Sequence, residues 1–429
     1  MATDSSMGNK GKASSIRLWW QLPLLLGWRR EKGGRISQTY ILIAIIAVAL
    51  SIAAMVLSIA VGKGFQEAIR HRLVGFVGDI QILRLDTNTS FEQKPMFRSS
   101  LNPEDIAGIE GVTGVSTFAI KPGIIKTKGD MQGCVLRGVD GARDLQFFEE
   151  FLVRGHLPRF DDSTASSEVL VSERIALALH LDTAQKLTVY FVEQPPRVRR
   201  FTIAGIYSTS FKDFDERFVM ADMRHVQRLN GWTADQVGGY EIHIDEPRHI
   251  DRVYQQVQDI AAFRLQRDGT ALKVEDIRQQ YPSLFSWLSL LDMNILVLLM
   301  LMAAVACVNM VTAMLILILE QTKTIGLLKA MGATQGKLAG IYLIKASRIL
   351  LWGLGVGNLL ALLIYHSQRL WHWAKLNPVE YYVDYVPMHI SVGLWLAVNV
   401  CTMVLILTLL LLPVRLIGRV SPSETIASR

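Results

Sequence analysis

The chain has 429 residues, half of them hydrophobic, and a formal net charge of +7. A mean hydropathy of +0.28 excludes an ordinary soluble protein. The basic balance does not point to nucleic acid: residues 63–285 hold 28 Lys+Arg against 31 Asp+Glu, and the excess elsewhere lies mostly beside apolar runs. Two of the three cysteines (Cys307 and Cys401) fall inside apolar runs and Cys134 stands alone, which excludes an internal disulfide framework.

Taken in order, residues 1–35 form an N-terminal segment with seven basic residues (Lys10, Lys12, Arg17, Arg29, Arg30, Lys32, Arg35) ahead of the first apolar run. That is the positive-inside signature, so the segment is expected in the cytoplasm. Within it, Arg17 to Trp28 (RLWWQLPLLLGW) mixes Trp, Leu and Arg as a helix lying in the membrane interface does. Residues 36–62 carry no formal charge and exceed the roughly 18 residues that mark a spanning helix. The run is too long for a signal-peptide core and has no small-residue cleavage site set off from it, so a permanent anchor is expected.

Alternation places residues 63–285 on the outer side. Phe65, Ile69, Leu73 and Phe76 keep helical spacing, so the first helix is expected to leave the bilayer as a stalk. Asp79 to Leu85 then alternates as a strand, and Asn102-Pro103-Glu104-Asp105 starts a short helix. Val112 to Lys121 and Ile124 to Lys128 read as strands around a turn at Pro122-Gly123. Further strands follow to Ala221, then a strand at Tyr240 to Asp245 and a helix from Pro247 to Ile260. The order predicts an α+β domain with an inserted mostly-β subdomain at about residues 130–237, and Val274 to Phe285 returning as a second stalk. Its most distinctive feature is the hairpin Tyr190 to Arg200 (YFVEQPPRVRR), stiffened by Pro195 and Pro196 and made basic by Arg197, Arg199 and Arg200.

A second span is expected over 286–319, its uncharged run starting at Met293. Residues 320–337 change character: Glu320, Lys323 and Lys329 punctuate a short helix, with Ile325, Leu328 and Met331 every third residue along one side. Gly332 is placed for a left-handed cap, and Thr334 for starting the next helix. A third span (338–368), a short outer loop (369–389), a fourth span (390–414) and an inner tail (415–429) complete the reading. A membrane helix, an apolar-faced connector and a second membrane helix make a lever.

No catalytic chemistry is recognisable. Gly332-Ala-Thr-Gln-Gly336-Lys337 approaches a phosphate-binding loop, but the gap is one residue short and Leu338 stands where Ser or Thr is needed. Gly353, Gly355 and Gly357 lie in an apolar run, where small residues allow close helix packing. The nine histidines show no metal-ligand spacing, so no metal and no bound cofactor is expected.

The run TKTIGLLKAMGAT directly after a span resembles the coupling segment of FtsX-type ABC permeases, closest to the LolC/LolE lipoprotein-release family. GKGFQEAIRHRLVGFVGDIQI, NPVEYYVDYVPMHI and PVRLIGRVSPSETI fit the same family, so the resemblance spans nearly the whole chain. It implies a type VII, MacB-like permease: four transmembrane helices plus a large periplasmic α+β domain, in the bacterial inner membrane with both termini cytoplasmic. The implied function couples ATP hydrolysis on a separate LolD-like ATPase, which holds ATP and Mg, to extraction of lipoproteins toward a periplasmic carrier. Other implied partners are membrane lipids and a second permease, copy or paralogue. By the same resemblance, Glu320, Lys323, Ile325, Leu328, Lys329, Met331 and Gly332 would couple to the ATPase. Met55, Ile59, Met302 and Val305 would line an acyl-chain cavity between the first two spans. Pro195, Pro196, Arg197 and Arg199 would meet a soluble partner, although the loop is short, as in LolE-type chains, where LolC-type chains carry a longer carrier hook. Two alternatives stand beside this: an FtsX-type protein that passes motion to periplasmic hydrolases without transport, and a MacB-like efflux permease.

Overall fold

The computed structural model describes residues 35–86, 90–160 and 164–416. The expected interfacial helix at Arg17 to Trp28 and the tail beyond residue 416 lie outside the described residues. Among the described residues, four helices are long and apolar enough to cross a membrane: Thr39–Val77, Pro282–Glu320, Gln335–Trp371 and Val392–Arg415. The first and second, at 39 residues each, would extend nearly 60 Å, about twice a hydrocarbon core. The chain divides into two compact units. One holds the spans (through Phe65, Ser289–Trp373, from Pro387); the other is Gln66–Leu288 with Ala374–Val386.

In the span unit, Val48, Ile52 and Met55 of the first helix share a buried core with Met310, Leu350 and Ile406. Glycines set a close crossing of the third and first helices. A Cβ on Gly357 would stand 2.6 Å from the carbonyl oxygen of Ala49, and one on Gly353 would stand 2.7 Å from Val48. The third and first helices therefore meet backbone to backbone, as small residues permit in membranes. Gly355 has nothing within 4 Å of the same position. Third and fourth helices are tied by side-chain amides: Asn358 Nδ2 donates to Asn399 Oδ1 at 2.7 Å, and Trp395 Nε1 donates to Asn358 Oδ1 at 2.7 Å.

Among the described residues, the outer unit holds twelve strands: β1 (Ile80–Arg84), β2 (Met96–Phe97), β3 (Val112–Lys126), β4 (Met131–Val139), β5 (Leu152–Gly155), β6 (Glu168–Ser172), β7 (Lys186–Phe191), β8 (Arg197–Tyr207), β9 (Phe218–Asp222), β10 (Gln236–Val237), β11 (Gly239–Ile244) and β12 (Leu272–Asp276). Ten form one sheet in the order β12-β1-β11-β3-β4-β9-β6-β8-β5, and β7 pairs with both β3 and β8. Those last pairings close β3-β4-β9-β6-β8-β7 into a ring. Most of the ring falls within residues 130–237, where an insertion is expected, but β3 precedes that range. The ring shares β3 and β4 with the main sheet and encloses its own core, including Leu136, Val171, Val189, Phe201 and Val219.

Pro122 and Gly123 do not turn the chain, contrary to the reading from sequence: they lie inside the continuous strand β3. Pro122 falls where β3 has left β11 at Phe118 and has not yet met β7 at Ile124. One edge carries no ladder there, and a strand tolerates proline. A Cβ on Gly123 would stand 2.8 Å from Val189, so glycine lets β7 approach. The expected second stalk is also shorter than read. Leu272–Asp276 is a strand, and the returning helix begins at Pro282.

Candidate functional site

The helix Thr322–Ala330 joins the second and third spans. Gln321 breaks the long helix before it, and its Oε1 accepts Tyr342 Oη at 3.0 Å and Lys345 Nζ at 3.1 Å. The bend is thus pinned to the third helix. At the far end Gly332 takes φ +90°, and Ala333 N donates to Leu328 O at 2.9 Å, closing the helix as a left-handed cap does.

The stripe expected on this helix does not hold together. Ile325 is fully buried in the span core, and Leu328 is half-buried against it. Met331 is 71% exposed, and so is its neighbour of one turn, Leu327, at 59%. The reason is rotational. Three residues advance about 300° around a helix, so 325, 328 and 331 drift some 120° in two steps, from the bundle side to the outward side. Four residues advance about 400°, so Leu327 and Met331 stay within about 40° of each other. The outward apolar pair is therefore Leu327 and Met331, with Glu320, Lys323 and Thr324 also exposed and Lys329 half-buried.

The four candidate cavity residues are placed differently. Met55 is 2% exposed and turns to the fourth span, where Thr402 Oγ1 lies 4.0 Å from its sulfur. Ile59 shares a small void with Trp395 and Val398 of that same helix. Met302 packs partly against the span core, and Val305 is 42% exposed. The second span carries an outward surface of which the four candidates include only Val305: Met293, Val297, Met300, Leu301, Val305 and Val308 are all exposed. The signal was there in a run apolar on every side, which a fully buried helix and a lipid- or partner-facing helix share.

In the outer unit the hairpin tip joins β7 to β8. Pro195 and Pro196 are exposed, with Val192 (79% exposed), Val198 and Arg199 around them. Arg197, also exposed, has partners within the chain. Its Nη1 donates to the carbonyls of Arg228 (3.1 Å) and Leu229 (3.0 Å) at the end of the helix Met223–Asn230, and its Nε lies 3.0 Å from Glu193. It satisfies helix-end carbonyls and braces the hairpin. The tip's outward chemistry comes from Val192, the prolines and Arg199.

Among the described residues, no group of three or more His, Cys, Asp or Glu is placed to hold a metal. Cys134 is buried in the ring, and burial pushes its thiol up to about 12.

The MacB-like periplasmic core domain family matches residues 41–260, and the FtsX-like permease C-terminal family matches residues 296–422. A lipoprotein-releasing system transmembrane protein LolC from Neisseria meningitidis is 22% identical over 96% of this chain and 99% of its own length. A lipoprotein-releasing system transmembrane protein LolE from Haemophilus influenzae is 20% identical over 95% and 99%. Among solved structures, the periplasmic region of MacB from Actinobacillus actinomycetemcomitans aligns at TM-score 0.34 and 12% identity, over 49% of this chain and 95% of that one.

Proposed function

Because this chain belongs to the family of FtsX-like permeases with a MacB-like periplasmic core domain, we propose that it is the membrane subunit of a transporter that releases lipoproteins from the inner membrane. The observation that carries this reading is the end-to-end match to lipoprotein-releasing system proteins, which covers both the spans and the outer domain in one order. Energy comes from a separate ABC-type ATPase, which holds nucleotide and Mg²⁺. Both termini and the connector lie in the cytoplasm; the outer unit lies in the periplasm and hands its cargo to a soluble carrier. Two permease chains share one cavity, and the exposed face of the second span is each chain's contribution to it.

On this reading the ATPase meets the outward face of Thr322–Ala330, and Leu327 and Met331 are its anchors. Burying one such side chain is worth roughly 1.5–3 kcal/mol, or about a tenfold to hundredfold change in affinity. Leu327→Asp or Met331→Asp is expected to abolish copurification of the ATPase, because the carboxylate would be buried without a partner. Lys323→Ala, at the rim, should change it little. Ile325→Asp should instead unfold the span unit, since Ile325 lies in its core. Retention of the ATPase by both Leu327→Asp and Met331→Asp in a stable permease would remove this face as the contact. The transport reading itself is tested in liposomes holding the permease, its ATPase and a triacylated lipoprotein. ATP should move the lipoprotein into the soluble phase with a carrier present, and no movement there would sink it.

A further inference from the structure

The short segment between the third and fourth spans, residues 374–386, is wired more heavily than a turn requires, and all of the wiring lies inside the outer unit. Arg72, on the first long helix, donates through Nη1 to the carbonyls of Tyr382 and Thr209, each at 2.7 Å, and its Nη2 lies 3.5 Å from Asp384. Its side chain is only 11% exposed. Asp384 accepts Ser210 Oγ at 2.8 and 2.9 Å through its two oxygens. The Tyr382 ring stacks on Phe211, with centroids 4.7 Å apart, and meets Trp287 edge-on at 6.4 Å. Thr209-Ser210-Phe211, the receiving segment, is itself fixed: the buried Asp215 carboxylate accepts Thr209 N at 3.1 Å and Thr209 Oγ1 at 2.6 Å. The loop also closes on itself, with Leu376 N donating to Asp384 O at 3.0 Å and Val386 N to Ala374 O at 2.9 Å.

Tyr382 holds φ +58°. A tyrosine stays in that left-handed conformation only where its surroundings over-determine it. Here they do, since its carbonyl is held by a guanidinium and its ring by two others. One guanidinium bonded to carbonyls of two distant segments is a cross-brace. Detaching the loop would strand the Tyr382 carbonyl and the Asp384 carboxylate and take two partners from the guanidinium at once. Yet the loop's ends run directly into the helices Gln335–Trp371 and Val392–Leu409.

We propose that residues 374–386 are a strap, and that Arg72 and Asp384 are positioning residues that keep the outer domain moving with the third and fourth spans throughout the transport cycle. The strap would carry force from the connector, at the inner end of the third helix, to the outer domain by a route separate from the stalk. This deepens the lipoprotein-release reading and rests on it.

The test uses the complete complex in liposomes and reads lipoprotein released per ATP hydrolysed. Arg72→Ala and Asp384→Ala should each lower that ratio about tenfold while ATP hydrolysis continues. Arg72→Lys, which still donates to a carbonyl, and Asp384→Asn, which still accepts from Ser210, should restore most of it. A merely stabilising role would lower hydrolysis and release together and leave the ratio unmoved, so an unchanged ratio in the alanine variants overturns the proposal. A second measurement needs no cargo: spin labels at Lys212→Cys and Glu380→Cys, both exposed and both in the outer unit. One distance, the same without nucleotide and with ATP bound, is expected. A second distance appearing with ATP overturns the strap. If wild-type complex releases no lipoprotein, the transport reading fails and this distance alone decides the strap.

Discussion

Asp215 shows what one residue's burial does. It is 1% exposed, and burial pushes its carboxyl up to about 6, against the bonds from Thr209 that pull the other way. The folded chain then holds this proton more tightly than the unfolded chain, whose carboxyl titrates near 3.8. Between about pH 4 and 6 the folded state binds more protons, so the stability of the outer unit falls as pH rises across that window. Above about pH 6 the loss is complete, about 3 kcal/mol for a shift near two pH units. Asp215→Asn should remove that decline and raise the thermal midpoint at pH 7.5 by several degrees. Thermal unfolding of the solubilised protein at pH 4, 5, 6 and 7.5 checks it; an undiminished decline in the Asn variant would assign the slope to another group. None of this was legible in the sequence, where nothing sets Asp215 apart from Asp213 and Glu216 beside it. Only the fold turns Asp215 inward while Asp213 stays out. Gly332 was legible, because a residue after a short helix with nothing to pack needs just its own backbone to explain it. The division between Ile325 and Leu327 was not: which side of a nine-residue helix faces its own bundle is decided by the third span and by Gln321.

At the scale of elements, glycines of one motif part ways. Gly357→Ala would set a methyl group against the Ala49 carbonyl, a backbone atom that cannot step aside. It should cost about 1–3 kcal/mol through overpacking. Gly353→Ala meets the Val48 side chain and should cost less, and Gly355→Ala, in open space, should be neutral or slightly favourable. Thermal midpoints of the three solubilised variants check that order, and equal losses would mean the crossing is not set by these glycines. The spans themselves were readable from hydropathy, since an uncharged run of that length has few other homes. Close packing at Gly353-x-x-x-Gly357 was readable as a possibility, but the idle Gly355 was not, because spacing alone does not say which side meets the first helix. Pro122-Gly123 misled for a related reason. The pair is a turn signal when only the local chain is considered, and the strand's continuity is imposed by nine paired residues of β4. The ring closure, which needs β7 to find β3 more than sixty residues back in the chain, leaves no local mark at all.

For the whole molecule, the charge split carries the sidedness. Twenty-eight basic against thirty-one acidic residues over 63–285, with the basic excess elsewhere, predicts that segment outside and the connector inside. Native Cys134 cannot report on this, being buried with a thiol that stays protonated at neutral pH. In a background lacking Cys307 and Cys401, a membrane-impermeant maleimide added from outside should modify Lys128→Cys and spare Lys323→Cys, both exposed positions. Outside labelling at 323 would reverse the topology and take the coupling face with it. The six-strand ring has a consequence for other chains. An extended chain near an open sheet edge can add itself as one more strand. Around the ring each strand is flanked on both sides, and the path's two ends are the four-residue β5, finishing in Gly155, and β12, where Lys273 and Glu275 alternate. The outer domain is in this sense non-stick: an extended chain that meets it finds few rows of unpaired amides to template it.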